Sequence, residues 1–167
     1  MKDIYVKFNG PDIKGESLDQ KHDDWVEVSN WHHRIKQPKS ATASSTGGHT
    51  AERCEHEVME FTKNLDLSSP KLYGACSGGT TFKDVTVEFM RADGDGERVK
   101  YLEINMKNVV IADVAPSVNG EEFPTETFAL NYGAIEWIYK QQKAGGGTGG
   151  KTKGAWSLVN NKNAYSV

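Results

Sequence analysis

The chain has 167 residues, 37% of them hydrophobic and 10% aromatic, with a formal charge of -3, and a mass of 18.5 kDa, a pI near 6.0 and a mean hydropathy of -0.63. That size and composition suit one domain with a real core and exclude wholesale disorder, while the slightly acidic balance leaves no surplus of cations for a nucleic-acid backbone or an anionic bilayer. The charged start at residues 1–10 has neither the apolar run of a leader nor the length of a membrane span, so a single domain over 1–167, soluble and cytoplasmic on synthesis, is expected.

Ile4, Val6 and Phe8 alternate with Tyr5 and Lys7, the two-residue period of a half-buried strand, and Gly10-Pro11 ends it. A polar loop follows. Val26 and Val28 then share a face with Trp31, His33 and Ile35 only if a β-bulge sits at Ser29-Asn30, which predicts one long bent strand. His32 and Arg34 occupy its other face. Residues 38–52 (PKSATASSTGGHTAE) contain almost nothing that could pack and predict an extended loop or arm. Strand patterning resumes at Cys54, His56 and Val58, set against Glu55, Glu57 and Met59, and runs into Phe61.

Ser68-Ser69-Pro70 predicts a helix start with Ser68 as cap and proline in the first turn; Leu72, Ala75 and Cys76 give a narrow apolar stripe, and Gly78-Gly79 offers a left-handed end. Phe82, Val85, Val87 and Phe89 form the next strand, and the turn at 92–96 joins it to a strand around Val99–Met106. A further apolar run, Val109–Val114, precedes two closely joined strands around Phe128–Tyr132 and Ile135–Tyr139. Residues 144–154 (AGGGTGGKTKG) read as a glycine-rich linker before a last short strand near Trp156, Leu158 and Val159. Seven or more strands and one short helix predict a mainly β fold: antiparallel sheets packed as a sandwich or closed as a small barrel, with the helix lying on one side.

Several motifs resemble chemical sites and have simpler explanations. Residues 145–152 (GGGTGGKT) satisfy a phosphate-loop pattern, but no helix can begin at Lys151, as that mechanism requires. Residues 74–78 (GACSG) match a nucleophile elbow with the order of elements reversed, so a helix end explains the glycines and a core position explains Cys76. Cys54 and Cys76 are expected as free thiols. The five histidines with Cys54 lack the spacing of a structural zinc site, and the acidic turn at 93–97 lacks the later ligands of a calcium loop. No nucleophile, base and orienter fall together, so neither an enzyme nor a cofactor or metal protein is expected.

The combination of these segments resembles the haemolysin-coregulated protein (Hcp) family, the tube subunit of type VI secretion systems. The similarity is carried by Ile4–Phe8, Asp12–Ser17 and Trp25–Val28 with Trp31, and by Phe61-Thr62-Lys63 with Asp66, Ser69-Pro70 and Ala75–Gly78. Glu126–Tyr132 running on to Tyr139 completes it. It spans residues 1–142 and departs at 38–52 and after Lys143. The resemblance implies two sheets with a lateral helix, six copies closed into a ring, rings stacked into a tube, and effectors carried during export. Its implied partners are further copies of the chain, a spike protein at the tip, a contractile sheath and effector cargo, with release from the cell and no signal peptide. Within that frame His32 and Arg34 are candidates for the lumen wall. Ser44, Ser45, Thr46, Gly47, Gly48 and His49 are candidates for contacts between rings. The alternative is a monomeric β-sandwich that binds a ligand such as a carbohydrate, with Trp25, Trp31 or Trp137 as stacking platforms.

Overall fold

A computed structural model describes residues 3–38 and 53–167. They form strands β1 (Asp3–Asn9), β2 (Val26–Val28), β3 (Asn30–His32), β4 (Ile35–Lys36), β5 (Glu55–His56) and β6 (Met59–Asn64), then helix α1 (Ser69–Gly78). Strands β7 (Thr81–Ala92), β8 (Arg98–Ser117), β9 (Thr125–Asn131), β10 (Ala134–Gln142) and β11 (Thr148–Ser157) complete the chain. Every strand pairing is antiparallel.

The first layer runs β2-β1-β7 into the first half of β8, whose residues 102–107 also pair with β10, and β10 carries β11. The second layer begins where residues 110–117 of β8 pair with β9, followed by β6 and β3. The predicted strands at Val99–Met106 and Val109–Val114 are therefore one strand, a correction with a local cause. Asn108 takes φ 51°, a left-handed conformation that asparagine tolerates. The buried positions accordingly change phase, from Ile104 and Met106 before it to Val109 and Ile111 after it.

Both layers bury alternate residues in one core, as sheets with one wet face must. Phe8 meets Phe82 at 5.0 Å and Phe128 at 6.2 Å, and Phe128 stacks on Phe61 at 5.0 Å. The expected two-sheet arrangement is present; among the described residues no closed barrel forms. The hydrogen-bonded path ends on β2 and β3, neighbours in sequence, so residues 26–32 cross from one layer to the other. No helix among them is long and apolar enough to cross a membrane.

Four further expectations are corrected. The bent strand divides into β2, β3 and β4, and Ile35 leaves the core face with 48% exposure, because β4 pairs with β5 in a separate ribbon. Val58 is exposed and Met59 fully buried, since the break between β5 and β6 reverses the face. Residues 148–154 are no linker. They form the body of β11 in register with β10, because a tight turn, closed by Gly146 N–H donating to the Lys143 carbonyl at 3.2 Å, brings the strand straight back. Gly146 and Gly147 supply its positive φ values of 87° and 82°. Finally, β11 ends at Ser157, and the amides of Leu158 and Val159 donate to the Gly133 carbonyl instead.

Helix α1 ends as expected, with Gly79 at φ 63° and its N–H donating to the Ala75 and Cys76 carbonyls. Its start differs. Ser68 makes no side-chain cap bond; its own N–H and hydroxyl donate instead to the Asp66 carboxylate, at 2.9 Å and 2.5 Å. Leu72 is fully buried, and the helix is fastened below by Lys63 and Glu126, cross-strand partners on β6 and β9. Lys63 Nζ donates to Glu126 Oε1 at 2.5 Å, to the Asn64 carbonyl at 2.9 Å and to Ser69 Oγ at 3.2 Å, and pairs with Asp66 Oδ1 at 2.8 Å. Glu126 also accepts from Ser69 Oγ at 2.6 Å and from the Tyr73 hydroxyl at 2.5 Å. Burial, then the Glu126 carboxylate, pushes the Tyr73 phenol up to about 12.

Candidate assembly surfaces

Sheet edges are the first features a partner could use, because an edge leaves backbone donors and acceptors unpaired. Among the described residues β11 has β10 as its sole ladder partner, β2 has β1 and β3 has β6. The edge of β11 is 10 residues long. It carries Gly149, Gly150 and Gly154, where another backbone can come close, and Lys151 and Lys153, charges of the kind that discourage indiscriminate pairing. The C-terminal tail covers only its last residue, through Ser157 N–H donating to the Lys162 carbonyl at 2.9 Å.

The outer face of the first layer is a ladder of paired charges. Lys100 binds Glu88 at 3.1 Å and also pairs with Glu103, Asn105 donates to Glu103 at 2.8 Å and to Glu136 at 3.1 Å, and Lys153 pairs with Glu136 at 2.8 Å. Burial opposes ionisation of Glu103, yet its bonds from Lys100 and Asn105 outweigh that and hold the carboxyl below its ordinary range. At one end of the ladder lies His22, 1% exposed, between Asp19 at 2.6 Å and Glu88 at 2.7 Å. It stacks on Tyr5 at 4.2 Å with an interplanar angle of 5°. The His22 bond lowers the Asp19 carboxyl, and burial raises the Tyr5 phenol to about 12. These groups satisfy one another, which makes the face a rigid wall rather than a reactive cleft.

Around the β4–β5 ribbon the surface is different. The Tyr132 hydroxyl lies 2.8 Å from His33 Nε2 and 2.6 Å from His56 Nδ1, so two imidazoles from opposite sides of the ribbon meet one phenol at the β9–β10 corner. Desolvation, then the neighbouring His56, lowers His33 to about 4; desolvation also lowers His56 and raises Tyr132. Beside this cluster an open groove is lined by Ile35, Cys54, His56, Trp137, Lys153 and Trp156. Lys36 and Glu57 pair across the ribbon at 2.9 Å, and Glu57 N–H donates to the Arg34 carbonyl at 3.0 Å.

Of the residues singled out from sequence, His32 and Arg34 are both exposed, on the stretch that leads into the ribbon. Ser44, Ser45, Thr46, Gly47, Gly48 and His49, with the rest of 39–52, lie outside the described residues. The phosphate-loop lookalike is a turn and a strand, with Lys151 opposite Lys140 on β10. Residues 74–78 lie within α1, where Cys76 packs against the core. In the acidic turn, Asp93 Oδ1 already accepts from the amides of Asp95 and Glu97, both at 2.9 Å. Among the described residues no three of His, Cys, Asp and Glu are placed to hold a metal ion. Both cysteines are free.

The three tryptophans weighed as sugar platforms are engaged by their own chain. Trp25 has the edge of His22 at 4.9 Å and Lys7 over its ring, Trp31 lies edge-on to Phe89 at 5.2 Å, and Trp137 packs against the core beside His56. The buried Lys63–Glu126 pair and the His33–Tyr132–His56 cluster went unpredicted. The pair had a signal: Lys63 continues the inward positions Met59 and Phe61, and Glu126 precedes Phe128 and Leu130 at the same period. The cluster had none, because its members are 76 and 99 residues apart in sequence across the two hydrogen bonds.

A family model described as "Type VI secretion system effector, Hcp" matches residues 5–139. The chain is 32% identical to "Protein hcp1" of Pseudomonas aeruginosa over 164 residues, covering 97% of this chain and 98% of that protein. Among solved structures it is similar to one described as that of a type six secretion system protein, with a TM-score of 0.87 at 28% identity, covering 98% and 100% of the two chains. It is also similar to Hcp1 from Salmonella typhimurium, with a TM-score of 0.75 at 25% identity, covering 98% and 99%.

Proposed function

The chain belongs to the Hcp family of type VI secretion proteins, and from that premise we propose that its work is assembly: six copies close into a ring, and rings stack into the inner tube of a type VI apparatus. The observation that carries this reading is the long free edge of β11. An edge offered to a different surface on the next copy is a heterologous contact, and such contacts close into rings when the rotation allows. No catalytic step enters this reading.

On the same premise the tube is assembled in the cytoplasm and leaves through the apparatus, with a spike protein at its tip, a contractile sheath around it and effectors within. The exposed His32 and Arg34 are proposed to face the lumen, where a cationic guanidinium can hold acidic cargo. The loop residues Ser44, Ser45, Thr46, Gly47, Gly48 and His49 are proposed to bridge successive rings.

Native mass spectrometry combined with negative-stain microscopy tests the assembly. Annular particles at six times the 18.5 kDa chain mass are expected. A chain that stays monomeric at high concentration would refute the reading. Lys151→Glu and Gly150→Glu on the β11 edge should weaken rings while leaving the circular dichroism of the chain unchanged.

A further inference from the structure

We infer that the His33–Tyr132–His56 cluster is an acid-sensitive clasp that fastens the β4–β5 ribbon to the body of the protein. Its logic lies in counting protons. A phenol has one hydrogen to give, so two imidazole nitrogens at 2.8 Å and 2.6 Å from one oxygen require that one accept and the other donate. Either ring can take either role, and the chain of bonds is complete with both rings neutral.

Acid unbalances it. A proton on His33 turns its Nε2 into a donor, so that Tyr132 keeps an acceptor only if His56 Nδ1 is bare, and a second proton removes that acceptor too. Protonation of His56 instead sets a cation against a half-buried neighbour whose ring centroid is 6.1 Å away. The surroundings offer little to hold these charges. His32 and the other histidine oppose protonation of His33, and the Glu57 carboxylate, which favours it, is already paired with Lys36. Lys153 shares the groove with His56, and Cys54 lies near Tyr132. The ring of His33 remains neutral down to about pH 4 while the ribbon is seated, whereas a released ring accepts its proton near its ordinary value of 6.5. Between those values acid favours release. A shift of that size would multiply the opening constant about 300-fold, and screening at this half-buried site reduces the expectation to on the order of tenfold to thirtyfold.

The clasp does not depend on ring closure, because its readout is local to the ribbon. Hydrogen exchange followed by mass spectrometry, corrected for intrinsic rates, would be measured from pH 7.5 to pH 4 on peptides covering residues 33–38 and 53–58. The amide of Glu57, which donates within the ribbon, should lose protection at least tenfold toward pH 4 while the β7–β8 peptides hold theirs. Tyr132→Phe keeps the ring and removes the hydroxyl; it should abolish the ribbon's protection at pH 7.5 and flatten the profile. His33→Gln, which removes the titrating ring, gives a second check with the same flattening. Ribbon protection that is independent of pH in the unaltered protein, or undiminished in Tyr132→Phe, would overturn the clasp.

Discussion

Lys63→Met tests how the helix is held. The methionine retains most of the aliphatic stem, so the lost packing is small, and the change isolates the ammonium group. That ammonium serves two carboxylates, Glu126 Oε1 at 2.5 Å and Asp66 Oδ1 at 2.8 Å, plus the Asn64 carbonyl and the Ser69 hydroxyl. Without it Glu126, 1% exposed, keeps only hydroxyl donors from Ser69 and Tyr73 to offset a buried charge. Stripping one partner from a buried ion pair costs about 3–5 kcal/mol, which for a chain of this length is a fall of roughly 10–15 °C in Tm. The double variant Lys63→Met/Glu126→Gln removes the stranded charge and should recover at least half of the loss. Urea unfolding followed by circular dichroism at one fixed protein concentration measures the cycle, since association would otherwise add its own stabilisation. A single variant within about 1 kcal/mol of the parent, or a double variant whose effects simply add, would refute the reasoning.

Gly15→Ala should be severe, because a Cβ there would lie 2.4 Å from the Trp25 carbonyl oxygen and 2.7 Å from the Val26 Cα, both backbone atoms that cannot swing aside. A loss of about 2–3 kcal/mol in thermal unfolding is expected, and a neutral result would mean that the loop over β2 is placed differently. Stability against pH should fall in two stages. His33 and His56 are held below their ordinary value, so the unfolded chain takes up protons first and stability drops as pH falls from about 6.5 toward 4. Asp19 and Glu103 are held below the ordinary carboxylate range, and their contribution, present above it, is lost as pH falls through their lower folded values. Urea midpoints across pH 3–8 check this; one transition confined below pH 4 would refute the histidine stage.

Two-residue alternation made the strands readable, since Ile4, Val6 and Phe8 of β1, Val85, Val87 and Phe89 of β7 and Phe128 and Leu130 of β9 recur at that period in the core, even where neighbours such as Tyr5 and Ala129 are buried too. It failed where the backbone changes phase. Asn108 carries a single strand through a bend, so the break in the pattern resembles a break in the chain. The glycines at 145–150 were misread for a related reason: they carry no side chain to display a period, and the pairing of β11 rests on backbone bonds to β10. Short elements such as β4 and β5, two residues each, are too brief to hold a pattern at all. That a sheet edge would stay open was legible as an excess of strands over closing partners; that it belongs to β11 required the order in which those strands lie.

That order has a mechanical consequence through β8. One strand is threaded through both walls, hydrogen-bonded to β7 from Arg98 to Val110, to β10 before its bend and to β9 beyond it. Neither wall can peel away without tearing the shared thread, so under tension the subunit should yield at one force in one step, not by shedding layers in turn. A fold of that kind withstands sudden shear intact up to its limit, as the proposed role in an expelled tube would require.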